Sequence, residues 1–124
     1  MKEDFGAYVR SRRTARSEDT ADAEPRHPVS LRKLARTIGV QPSYVSKVER
    51  GEVAPPSEET IRRWAQAIEE DPDVLLAMAG KVSSDLQAAI MRRPVLFARL
   101  IRELKDLPDH AVLRIVREVR DGEW

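Results

Sequence analysis

Between Ser30 and Gly51 lie two short runs of helical period separated by only Val40 and Gln41 between a glycine and a proline. No other feature constrains the fold as much. Ser30 is a good helix cap, and Leu31, Leu34, Ala35 and Ile38 follow the i, i+3, i+4, i+7 rule of an amphipathic helix. Gly39 then serves as a left-handed stop. Pro42 is tolerated in the first turn of a second short helix, which runs through Tyr44, Val45 and Val48 to a stop at Gly51. The small Ala35 lets the two helices cross closely, and the left-handed turn at Gly39 sets a steep angle between them.

Helical spacing continues on both sides of this pair. Asp4 can cap a first helix from Phe5 to about Arg16, with Phe5, Tyr8 and Val9 as its apolar stripe. Residues 17–28 combine two prolines with short polar and acidic side chains and read as a flexible loop. Ser57 opens a fourth helix carrying Ile61, Trp64, Ala65 and Ile68. Asp71 and Pro72 start a fifth, expected to bring Val74, Leu75, Met78 and Ala79 to the core before Gly80 ends it. Ser83 or Ser84 then caps a helix through Leu86 and Ile90, and Pro94 marks another start. Two stripes follow, Phe97, Leu100, Ile101 and Leu104, then Val112, Ile115, Val116 and Val119 after Pro108.

No strand pattern or internal repeat appears, so the fold class is all-α: a five-helix head over residues 1–80 and a helical extension over 81–124. The 124 residues suffice for one compact domain and an accessory segment, not for two multi-layer domains. The two late stripes are wider than a five-helix head needs for its own burial, and their expected use is self-association.

Several function classes are disfavoured. There is no cysteine, hence no disulfide framework, thiolate metal site or cysteine nucleophile. His27 and His110 have no companion at ligand spacing, so no metal is expected. The carboxylates read as caps or surface pairs, and no serine stands in a nucleophile motif, so neither an enzyme nor a cofactor is expected. The first ten residues are charged where a signal peptide would be apolar, and no run approaches the roughly 18 apolar residues of a membrane span. A cytoplasmic protein is the expectation.

Net charge is +1, which by itself points to no partner, yet the basic groups are clustered. Arg10, Arg12, Arg13 and Arg16 form an acid-free group, and Arg32, Lys33, Arg36, Lys47 and Arg50 share residues 31–50 with the single acid Glu49. With Val45 and Val48 directed inward, the opposite side of their helix is left to Ser43, Ser46 and Lys47, polar groups able to reach base edges or phosphates in a major groove.

From Phe5 to about Gly80 the chain resembles the Cro/repressor-like helix-turn-helix family, also called the xenobiotic-response-element type. The matching residues are Leu34 with Ala35, Gly39 at the turn, Val45 with Ser46, and Glu49 before Gly51. The resemblance implies a duplex-DNA-binding transcriptional regulator, most simply a repressor acting as a homodimer. It places Gln41, Pro42, Ser43 and Lys47 at groove-facing positions, with Tyr44 and Ser46 at the edges and Arg50 and Arg32 among the flanking basic contacts. It also pairs Arg13 with Glu49, an arrangement expected to be buried. Two features depart from the pattern: Arg12 stands where relatives carry an apolar side chain, and the loop after the first helix is longer than usual. Two other readings use the same residues. One is an antitoxin that grips a protein partner through its C-terminal helices, and the other an adaptor that keeps the fold without touching DNA.

Overall fold

A computed structural model describes residues 2–14 and 28–124; the loop expected at 17–28 lies, but for residue 28, outside the described residues. The helices are α1 (Lys2–Thr14), α2 (Leu31–Ile38), α3 (Pro42–Glu49), α4 (Glu58–Ala67), α5 (Pro72–Met78), α6 (Ser84–Arg92), α7 (Pro94–Leu104) and α8 (Asp109–Asp121). Among the described residues there is no strand, and the fold is all-α. Two compact units result, Met1–Ser83 and Ser84–Trp124.

Local chemistry accounts for most helix ends in the first unit. The Ser30 hydroxyl accepts the Lys33 N–H at 3.1 Å, the Ser57 hydroxyl accepts that of Thr60 at 3.4 Å, and the Asp71 carboxylate that of Asp73 at 2.8 Å. Each bond satisfies one donor that a helix start leaves without a partner inside the helix. Gly39 takes φ 76°, and the Val40 N–H closes on the Ala35 carbonyl at 3.0 Å. α4 ends in a similar hook, with Glu70 N–H on Ala65 O and Glu69 N–H on Gln66 O. Here the left-handed position is filled by Glu69 at φ 56°, a residue without glycine's freedom.

Two expectations are corrected. α1 begins at Lys2, so Asp4 lies within its first turn and does not cap it. Lys2 and Glu3 are ordinary helix formers and let the helix start earlier, while an acid in the first turn still complements the helix dipole. In α5 the buried side chains are Leu75 and Leu76, Met78 and Ala79 are half-buried, and Val74 is 43% exposed. At a helical step of about 100° per residue, Val74 lies roughly opposite Leu76, so both cannot face one core.

The core of the first unit joins all five of its helices: Phe5 and Val9, then Leu34, Ala35 and Ile38, then Val45 and Val48, then Ile61, Trp64 and Ala65 with Ile68, and finally Leu75 and Leu76. Trp64 is fully buried at its centre, edge-on to Phe5 with ring centroids 6.4 Å apart. α1 packs on α3 and α5, α2 on α3 and α4, and α4 on α5.

The second unit is built differently. None of the residues in α6, α7 or α8 is buried. Phe97, Leu104, Val112 and Ile115 are half-buried, whereas Leu100, Ile101, Val116 and Val119 are exposed. No helix among the described residues is long and apolar enough to cross a membrane.

Candidate nucleic-acid interface

The face of interest is set by two valines. Val45 and Val48 lock one side of α3 into the core, and the helix period then turns Gln41, Pro42, Ser43 and Lys47 outward, all exposed. Gln41 is the N-cap residue, yet its amide makes no capping hydrogen bond, so the donor and acceptor of its side chain stay available beside Ser43. Tyr44 and Ser46 are half-buried, and the Tyr44 ring packs against the core. Arg50 is exposed but engaged: its Nε donates to Ser46 O at 3.3 Å, and Nη2 lies 3.3 Å from Glu52 Oε2. On α2, Arg32, Lys33 and Arg36 are exposed, and neither α2 nor α3 has an acid in its first turn. The exposed charge of this helix pair is therefore positive, as an anionic backbone requires.

What holds α3 in place is its C-terminal end. Arg13 grips Glu49 in a forked pair, Nε to Oε2 at 2.6 Å and Nη2 to Oε1 at 2.9 Å, with the side chains 12% and 4% exposed. The third nitrogen of the same guanidinium, Nη1, donates to Val29 O at 3.1 Å, and Val29 N–H returns a bond to Arg13 O at 3.0 Å. One side chain thus joins the end of α1, the approach to α2 and the end of α3. The hydrogen bonds to Glu49 hold the Arg13 guanidinium protonated more firmly than usual, against the opposing effect of burial.

The approach of α1 to α3 depends on Gly6. A β-carbon there would collide with the Val48 carbonyl oxygen and come within 2.7 Å of that of Glu49. Only a residue with no side chain lets the two backbones meet this closely. A second tie runs to the far side of the bundle. Tyr8 donates its hydroxyl to Glu70 Oε2 at 2.7 Å, and Arg12 Nε lies 2.8 Å from the same oxygen as an ion pair without hydrogen-bond alignment. Arg12, which replaces an apolar residue of the resemblance, is thereby given a partner at the α4–α5 junction.

A family model described as a helix-turn-helix domain matches residues 4–78, well over half of the chain. The chain belongs to this family. A solved structure, that of the clp gene regulator ClgR from Corynebacterium glutamicum, is 28% identical to it, covering 81% of this chain and 88% of that one with a TM-score of 0.47. No curated relative matches the chain.

Within the helix-turn-helix domain, α2 and α3 are the motif's two helices and the Gly39 turn its hinge. Sequence spacing located this pair and the outward side of α3. It missed Gly6, because nothing near Gly6 in the chain shows that the backbone of α3 will lie against it. It also missed Glu70 as a partner of Tyr8 and Arg12, which are separated from it by most of the head.

Proposed function

We propose that this helix-turn-helix protein is a sequence-specific regulator of transcription that binds duplex DNA as a homodimer with α3 in the major groove, most simply as a repressor. The observation that carries the reading is the orientation of α3. Its apolar side is fixed inward by Val45 and Val48, its C-terminal end is held by Arg13–Glu49, and Ser43 and Lys47 stand exposed on the other side. Membership of the family points to binding and not to catalysis.

The residues divide by reach. Gln41 can form paired hydrogen bonds with adenine, Lys47 can donate to the acceptors of guanine, Ser43 discriminates weakly, and Pro42 offers apolar contact to a thymine methyl. Arg32 and Arg50 flank this set and serve the phosphates, as do Lys33 and Arg36. One head reads one half-site. Two copies related by a two-fold axis place their recognition helices about 34 to 36 Å apart, one turn of B-form DNA, and the helices beyond residue 80 supply the self-association.

The test is a titration of a selected duplex with the wild-type chain and with Lys47→Ala. The variant is expected to bind the selected site about 1 to 3 kcal/mol more weakly while losing little on unrelated duplex, as a base contact requires. Equal affinities would remove Lys47 from the interface, and a uniform loss across sequences would make it a phosphate contact.

A further inference from the structure

One copy of the second unit gives α6, α7 and α8 little to pack against. The three are 9, 11 and 13 residues long, lengths at or below the roughly 12 to 15 residues at which an isolated helix becomes marginal in water. Helices this short depend on burial of an apolar face, yet none of their residues is buried. α6 and α7 meet, but α8 makes no comparably broad contact with either.

The unmet face is large. On α7, Leu96, Leu100 and Ile101 flank the half-buried Phe97 and Leu104, and they are 59%, 46% and 53% exposed. On α8, Val116 and Val119 are 52% and 59% exposed. With Met91, Val95 and Leu113 also exposed, the apolar area spread over the three helices is on the order of the ~800 Å² that each partner gives to a stable interface. Among the described residues of the head only Val74 and Val82 are large hydrophobics with comparable exposure. Residues 84–124 also carry basic and acidic side chains in near balance, so the surface does not repel its own copy. A second copy brings the same apolar area and the same balance of charge.

We infer that α6–α8 fold only when two copies associate through the Leu100–Ile101 and Val116–Val119 faces, so that helix formation and dimerisation are one equilibrium. The inference rests on the homodimer proposed above and goes further, because a preformed unit could dimerise without folding. One copy at low concentration would keep a folded head and lose its accessory helices. Below the dissociation constant of the dimer, DNA occupancy would rise with roughly the square of chain concentration.

The full chain carries its own reporters. Trp64 lies in the head core and Trp124 is 93% exposed near the end of the second unit, so in a Trp124→Phe background the emission reports on the head alone. That chain is diluted while mass is followed by sedimentation and helicity by far-ultraviolet circular dichroism, alongside the same chain with Leu100→Asp. On dilution, halving of the mass is expected to coincide with loss of the ellipticity carried by α6–α8, with Trp64 emission unchanged. Leu100→Asp is expected to reach that monomeric, less helical state at concentrations where the parent is dimeric, and it decides the matter if the parent never dissociates. A monomer that keeps its full ellipticity on dissociation would overturn coupled folding and leave the dimer standing. A chain monomeric and fully helical at every concentration would remove both. A dimeric, fully helical Leu100→Asp chain would overturn the assigned face, and altered Trp64 emission would show that the folding step is not confined to α6–α8.

Discussion

Arg13 is the residue on which most of the head's geometry converges, since its three nitrogens reach Glu49 twice and Val29 once. With Glu49 only 4% exposed, Arg13→Ala leaves a buried carboxylate without its partner and is expected to cost about 3 to 5 kcal/mol in urea denaturation. The Tyr8 hydroxyl makes a second prediction. Burial first, then the hydrogen bond and charge of Glu70, hold the phenol protonated above its ordinary value of 10.0, with Arg12 opposing. The folded state therefore binds this proton more tightly than the unfolded chain does. Its stabilisation is complete below the ordinary tyrosine value and is lost as pH rises through the higher folded value. Tyr8→Phe should thus be less stable than wild type near neutrality, by about 1 to 3 kcal/mol, and the gap should close in alkaline buffer. A gap that stays constant with pH would remove the hydroxyl from the account. At this scale the outward pair Ser43 and Lys47 was legible because they alternate with Val45 and Val48 on one helix. The partner of Tyr8 and Arg12 was not, because no local rule connects α1 to Glu70.

Among the elements, the hinge between α2 and α3 was written most plainly, in Ser30, Gly39 and Pro42, since caps and stops act on the residues next to them. The start of α1 and the inward side of α5 were misjudged for a common reason. Where a segment is short, or has no strong stop, its boundary and its buried side are chosen by what it packs against, as Leu76 was chosen over Val74. Gly6 shows the limit most clearly, because its role exists only where α1 meets the backbone of α3. Gly6→Ala has to push two main-chain carbonyls apart, and overpacking of this kind costs about 1 to 3 kcal/mol. The expected result is a lowered Tm, with DNA affinity reduced further because α3 is displaced. An unchanged Tm would mean that the two helices do not meet as closely as described.

For the whole molecule, the division of labour follows from where burial is complete. The first unit closes its own core and presents one basic, polar helix face. The second closes none and presents an apolar one. Periodicity exposed both stripes of the second unit, but it could not show that one copy leaves them uncovered, since that depends on how three helices stand against each other. Binding through Arg32, Lys33 and Arg36 of α2 should weaken steeply with salt, each phosphate contact adding about 0.9 to the logarithmic slope. The central claim is that the outward face of α3 reads duplex DNA. It is tested most directly by selecting bound fragments from random duplex with the wild-type chain and with a Ser43→Ala, Lys47→Ala chain in parallel. The wild type is expected to enrich a two-fold motif with half-sites about one helical turn apart, and the double variant to lose it. No enrichment by the wild type, or the same motif from both chains, would contradict it.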